Sequence, residues 1–445
     1  MKKLTLWVIC VTLIMLAGCK SDRPDMSGLL KTVPSSAGAV VGVNLKSLAE
    51  DAGCKISGNE IKPGKEVEAL LEKMDNKDRS ELVGLFAGES GIVPEYAIVF
   101  EDANRMFLTL SLYDVDKFKS LVKNEKESDF NDSGNGVTVC ENIAVKGNQA
   151  WICLSSAKRI DPDAIIGYSG LSKSQSFLNT DMAKVILESE NDIVGWGNFN
   201  TVMSNILTRQ NMSILSIASG FLFEDVDALQ FTMDFKKGEM EASAFFLDEN
   251  GDPAKYLLPA EKINGKALKE LGGSCDMLVA FTITPKLVQK IEKLGTALGG
   301  GFFGDLKEVL KNIDGTVAFA TSSGNSDYNG LLTTSGPVSD DLKRLFSQND
   351  IPTKEDGDYL RFSKGNVTGG ITLDDCAALL KGYTIGLVAD FQGMKKATTD
   401  YANLPSSMST VVVGFAPESG SLKLNLELKT ADEKENFLLS AIKAM

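Results

Sequence analysis

The side chains in this 445-residue chain that could do chemistry are carboxylates, thiols, hydroxyls and amines, because 60 Asp and Glu and seven Cys occur without a single His. That absence removes Ser-His-Asp and Cys-His nucleophile activation, imidazole proton shuttling, and the His-bearing zinc and iron sites. Four kinds of chemistry remain. Two carboxylates facing each other across a cleft could hydrolyse a glycosidic bond. Acids at alternate positions of a loop could hold calcium. A Ser-x-x-Lys pair could activate a hydroxyl, and a Cys in the right leader could carry a lipid.

Most of these patterns fail on their context. Asp129-Phe130-Asn131-Asp132-Ser133-Gly134 opens like a calcium loop, yet the position that needs Glu holds Cys140, and a strand-like run follows. Asp248, Asn250 and Asp252 place Pro253 where a calcium loop needs Gly, which reads as a turn. Glu224, Asp225 and Asp227 read as a solvated edge before a strand. Ser155-Ser156-Ala157-Lys158 follows a strand, with no Lys-Thr-Gly to complete the site. Gly167-Tyr168-Ser169-Gly170 is one Gly short of a nucleophile elbow. No metal and no cofactor are expected, and no catalytic residue is assigned. Carboxylate pairs stay open as a His-independent hydrolase of envelope or dietary glycan, but so many acids give no basis for choosing two.

The Gly-rich run 295–304 lacks the Lys-Ser/Thr of a phosphate loop, and its Leu298, Phe302 and Phe303 make it a candidate contact loop.

The Cys chemistry is the specific signal. Lys2 and Lys3 precede an apolar run from Leu4 to Leu16, too short to span a bilayer comfortably, and the run ends Leu16-Ala17-Gly18-Cys19. This reads as a lipoprotein signal peptide over residues 1–18. The small residues let a peptidase reach the backbone, and Cys19 becomes the lipidated first residue. Residues 19–32 then read as the lipidated Cys and a polar tether, reaching about 45 Å at most when extended. The expected address is the bacterial cell envelope, at the outer membrane, with the lipid on Cys19 as the membrane contact. A net charge of −14 and a pI of about 4.8 argue against nucleic acid or anionic lipid as partners. An envelope protein is the partner expected.

Beyond Cys10 and Cys19, five thiols remain, at 54, 140, 153, 275 and 376. An odd number without Cys-x-x-Cys is no disulfide framework. Cys140 and Cys153 lie in neighbouring strand-like segments, so they are the candidate disulfide.

The elements that would position these groups follow from periodicity. Tyr96 to Phe100, Met106 to Leu112 and a helix at Asp116 to Val122 have counterparts in Thr316 to Ala320, Gly330 to Thr334 and a helix at Asp340 to Phe346. Ala228 to Phe235 and Met240 to Leu247 read as a hairpin, set against Leu422 to Leu428. Pro34-Ser35-Ser36 ahead of Val40-Val41 recurs as Pro405-Ser406-Ser407 ahead of Val411-Val412, and Thr284-Pro285 signals a helix start. Strands in adjacent hairpins imply antiparallel sheets. The expected fold is α+β, with two related halves, 33–260 and 261–445, of largely antiparallel sheets flanked by helices.

The lipobox, Val33-Pro34-Ser35-Ser36 followed by Val40 to Asn44, the helix start Leu45-Lys46-Ser47-Leu48, and the passage Leu112 to Leu121 together resemble an uncharacterised family of gut Bacteroidota lipoproteins, known only as a domain of unknown function. The resemblance spans most of the chain after Cys19, rests on fold-level motifs, and implies no catalytic residue. The sequence thus predicts a lipid-anchored envelope protein with a binding or scaffolding role.

Overall fold

A computed structural model describes residues 26–73, 90–126, 128–155, 159–199, 226–255, 261–289, 292, 306–323, 326–397 and 407–443. The fold is mixed α+β, and every registered strand pairing among these residues is antiparallel. Contacts divide the chain into two compact units, the first comprising residues 1–205, 229–240 and 434–445, the second 206–228 and 241–433.

In unit 1 the first strand is β1 (Ala39–Asn44), followed by β2 (Lys55–Ser57), β3 (Glu60–Lys62), β4 (Ile92–Asp102) and β5 (Arg105–Leu112). Then come β6 (Asn131–Asp132), β7 (Val137–Cys140), β8 (Ile143–Lys146), β9 (Gln149–Cys153) and β10 (Ile193–Asn198), with β11 (Ala228–Phe235) later in the chain. The registered sheet order is β6-β7-β8-β9-β5-β4-β1-β10. Alternating side chains feed two cores. One contains Val43, Ala97, Leu108, Leu110 and Ile152; the other contains Val40, Ile98, Phe100, Phe107 and Trp151. The helices of unit 1 are α1 (Met26–Leu30), α2 (Leu45–Asp51), α3 (Lys65–Lys73), α4 (Val115–Lys126), α5 (Pro162–Ser169), α6 (Asp181–Glu188) and the C-terminal α12 (Phe437–Lys443). Local chemistry fixes their starts: Asn44 caps α2 by accepting from the Ser47 N–H at 3.1 Å, Asp161 stands before Pro162 of α5, and Thr180 caps α6.

Two sequence expectations are corrected here. The tether does not run to residue 32, because Met26, Leu29 and Leu30 of a short helix are buried in the core together with Val33, Leu30 completely. The chain also does not divide at one point near residue 260. Ile442 of α12 packs in the same core as Val43 and Leu48, which returns residues 434–445 to unit 1.

In unit 2 the strands are β12 (Glu239–Leu247, whose first two residues lie in unit 1), β13 (Ser274–Cys275), β14 (Met277–Ile283), β15 (Ile313–Thr321), β16 (Tyr328–Thr334), β17 (Thr353–Asp356), β18 (Tyr359–Lys364), β19 (Ile371–Thr372), β20 (Ile385–Asp390), β21 (Met408–Glu418) and β22 (Ser421–Thr430). Their registered order is β17-β18-β16-β15-β14-β20-β21-β22, with β13 and β19 pairing separately. Helices α7 (Gly265–Leu271), α8 (Leu306–Val309), α9 (Asp340–Gln348), α10 (Leu373–Leu379) and α11 (Phe391–Ala397) complete the unit. The Thr284-Pro285 signal begins a helix over 285–289, with the Leu287 N–H donating to Thr284 Oγ1 at 3.3 Å. α7 and α10 supply Leu268, Leu271, Leu373 and Ala377 to one face of the sheet, against Leu278, Ala318 and Val388. Val40-Val41 and Val411-Val412 of the repeat both lie in strands with two registered neighbours, β1 between β4 and β10 and β21 between β20 and β22.

Candidate functional site

Paired carboxylates do occur in unit 1. Asp192, just before β10, is almost fully buried, 1% exposed; its backbone carbonyl accepts from the Asn44 N–H at 2.7 Å, and its Oδ2 accepts from the Phe235 N–H at 2.7 Å. Its Oδ1 has no hydrogen-bond partner, and the carboxyl of Asp51, at the end of α2, lies close to the Asp192 side chain. Burial first, and then the charges of Asp192 and Asp234, push the Asp51 carboxyl up to about 8. Burial also raises Asp192, opposed by hydrogen bonds from Ser47 and the Phe235 N–H. Near neutrality the pair therefore holds one proton, carried on Asp51. Asn436 closes the arrangement: its Nδ2 donates to Asp51 Oδ1 at 2.6 Å and to the Phe235 carbonyl at 2.9 Å, while its Oδ1 accepts from the Leu438 N–H at 2.8 Å at the start of α12.

Two carboxyls in direct contact leave no space for the scissile bond and water that a glycosidase holds between acids about 5–9 Å apart. The arrangement ties four chain segments together, which makes it a latch.

The acids of unit 2 are likewise turned inward. Asp276 and Asp390, both buried, flank one end of the β14–β20 pair, and the Asp390 N–H donates to the Asp276 carbonyl at 2.7 Å. Asp276 accepts from the N–H groups of Ser323 at 2.7 Å and Gly370 at 3.3 Å, and Asp390 accepts from that of Gln392 at 3.0 Å. Glycine is required around them. A Cβ on Gly370 would stand 1.8 Å from Asp390 Oδ2, and one on Gly393 would stand 2.2 Å from Asp276 Oδ1.

The face of the unit 2 sheet turned away from α7 and α10 has a different character. Its register places Phe362, Gly330, Phe319, Val279, Leu387, Val413 and Leu426 in one lateral row from β18 to β22. The residues of the row other than Gly330 are half-buried or exposed, and Phe319 is 37% exposed. The next row, from Leu360 through Leu332, Val317, Phe281 and Ile385 to Phe415 and Leu424, is also apolar, but its Leu360, Leu332 and Val317 are buried in a core with Leu342 of α9. Phe319 stacks on Tyr328 with centroids 5.6 Å apart, and Phe362 lies across Gly330, where any Cβ would meet its ring at 2.0 Å. Gly330 is thus what allows an aromatic platform to lie flat on the strands. Periodicity alone could not show that these rows align across seven strands.

Elsewhere in unit 2 a cavity of about 250 Å³ is lined by Pro285, Val288, Glu308, Lys311, Asn312 and Ser335. Lys311 and Glu308 pair there at 3.6 Å, and Asp314 adds a second acid to the lining.

Of the residues singled out from sequence, Leu16, Ala17, Gly18, Cys19, Leu298, Phe302 and Phe303 lie outside the described residues. The Cys140–Cys153 disulfide is corrected: neither sulfur is in a disulfide, and Cys140 Sγ donates to the Ser128 carbonyl at 3.5 Å. β8 lies between β7 and β9, and the two side chains enter opposite cores. Asp132 accepts from the Gly134 N–H at 2.9 Å, and Asp248 from those of Asn250 at 2.9 Å and Asp252 at 3.0 Å, so both calcium-like runs are turns. Tyr168 sits in α5 and donates to Asp102 at 2.7 Å. Among the described residues no group of three or more Asp, Glu or Cys is placed to hold a metal, and no helix is long and apolar enough to cross a membrane.

No family model matches the chain, and no curated protein matches it. Among solved structures the chain is similar to TP0453 in crystal forms III and I. Form III is 9% identical with a TM-score of 0.30, over 81% of this chain and 98% of that one; form I is 8% identical with a TM-score of 0.30, over 81% and 97%.

Proposed function

We propose that this chain is a lipid-anchored protein of the bacterial cell envelope, held at the outer membrane through Cys19, which binds or scaffolds an envelope protein instead of catalysing a reaction. The anchor rests on Leu16-Ala17-Gly18-Cys19 behind a short charged and apolar leader. The resemblance to gut Bacteroidota lipoproteins belongs to the same reading. The observation that carries the binding role is the apolar face of the unit 2 sheet, where the Phe319 platform continues laterally into Val279, Leu387, Val413 and Leu426. A contiguous apolar surface of this kind marks a contact site.

The scaffold in this reading is a duplicated α+β module. Strand pairing supports that origin, because β9-β5-β4-β1-β10 in unit 1 and β18-β16-β15-β14-β20 in unit 2 run in the same order. The flanking bonds correspond too. The Asn198 N–H donates to the Gly38 carbonyl as that of Asp390 does to Asp276, and Asn44 donates to Asp192 as Thr282 does to Thr384. A paired-carboxylate hydrolase draws no support from the two acid pairs, whose oxygens face each other or backbone N–H groups.

Crosslinking in living cells, with the tagged anchored chain beside a Cys19→Ala copy, tests the proposal. It expects an envelope protein captured by the anchored form and lost from the copy. Equal recovery of both forms in the soluble fraction would overturn the anchor, and a well-expressed anchored chain that captures nothing would overturn the scaffold role.

A further inference from the structure

Of the five described thiols, two meet. Cys275 and Cys376 are both 0% exposed, both belong to the core under α7 and α10, and their side chains are in hydrogen-bonding contact. We infer that Cys275 and Cys376 are a disulfide-forming pair that staples the β13–β19 ribbon to the first turn of α10.

Backbone geometry presents both sulfurs from fixed positions. Cys275 pairs with Ile371 across the ribbon, and the backbone at Gly369 lies so close that a Cβ there would be 1.9 Å from the Cys275 carbonyl carbon. Thr372 ends β19 and caps α10 by accepting from the Asp375 N–H at 3.1 Å, which starts the helix at Leu373. Leu373, Cys376 and Ala377 then share the buried face at helical spacing, and that turn carries Cys376 back over Cys275. The other described thiols all lie in unit 1. Cys54 belongs to the unit 1 core that also holds Cys140, while Cys153 faces the opposite core.

The reaction is thiol–disulfide exchange with a small disulfide oxidant such as oxidised glutathione. The thiolate of one Cys attacks an oxidant sulfur and releases one glutathione; the second Cys then displaces the other. The Cys275–Cys376 S–S bond forms, the oxidant's S–S bond breaks, and two electrons and two protons end on two glutathione thiols. Timing follows from the environment. Contact with Cys376 and then burial raise the Cys275 thiol, which suppresses its thiolate in the folded chain. Oxidation therefore belongs to folding, and the finished bond is sealed from reductants. It would close a loop spanning β14 to β19, the long-loop case in which a crosslink restricts the unfolded chain most. The inference is independent of the lipid anchor.

The test refolds the full chain carrying Cys10→Ala and Cys19→Ala in a buffer of oxidised and reduced glutathione. Free thiols are alkylated after unfolding, and crosslinked peptides are identified by mass spectrometry. The Cys275–Cys376 peptide is expected on the order of tenfold above any other pairing, since five thiols offer about ten possible pairs. Its loss in Cys376→Ser, with Cys275 then alkylated, is expected as well. Alkylation of both residues in the refolded protein, or a spread of pairings without this preference, would overturn the inference. Should Cys376→Ser fail to fold, Cys376→Ala provides the same comparison.

Discussion

Asp51→Asn should remove a pH dependence that the Asp51–Asp192 latch builds into unit 1. In the folded chain Asp51 rises from 3.8 to about 8, so between those values the folded state holds a proton that the unfolded chain has released. Stability therefore falls as pH rises through that window and recovers on acidification. The slope is capped at about 1.4 kcal/mol per pH unit. Asp51 is only half-buried, and screening reduces the total to about 2–3 kcal/mol across the window. The groups facing it are Asp192, Asp234, Glu50 and Asn436, with Lys236 offsetting Asp234 at 3.6 Å.

An Asn at this position keeps an oxygen that accepts from Asn436 Nδ2, but has no proton to lose. Urea unfolding between pH 4 and 9, followed by tryptophan fluorescence, reads unit 1 directly, because Trp151 and Trp196 both lie there. The variant should match the parent near pH 4 and exceed it by about 2–3 kcal/mol near pH 8. Parallel curves for the two proteins would refute the shared proton.

Two further substitutions probe the packing. Gly330→Ala forces the Phe362 ring off the sheet, because the new Cβ would meet it at 2.0 Å. It should cost about 1–3 kcal/mol, with altered near-UV circular dichroism from the displaced aromatic platform. Leu30→Ala removes a fully buried side chain of α1 and should destabilise unit 1 by about 2–5 kcal/mol in the fluorescence assay. A neutral result there would return residues 26–32 to the tether. Phe319→Ser, at a 37% exposed position, should leave the urea midpoint nearly unchanged while abolishing partner capture.

Local signals made the elements legible. The strand–strand–helix segments around Tyr96 and Thr316 became β4-β5-α4 and β15-β16-α9, and Thr284-Pro285 began a helix. Asn44, Thr372 and Asp161 each accept an N–H from the first turn of the helix that follows. Long-range pairing was not legible. Cys140 and Cys153 are close in sequence yet face opposite cores, whereas Cys275 and Cys376 meet across most of unit 2. The latch draws on Asp51, Asp192, Phe235 and Asn436, which no spacing rule joins. Met26, Leu29 and Leu30 did carry a helical spacing, which the polar residues before it obscured.

The binding role is tested most directly by placing a photo-crosslinking phenylalanine analogue at position 319 of the anchored chain and irradiating intact cells. The account predicts a discrete adduct to an envelope protein, absent from the Cys19→Ala chain. Irradiation that yields no protein adduct from well-expressed, anchored chain would contradict it.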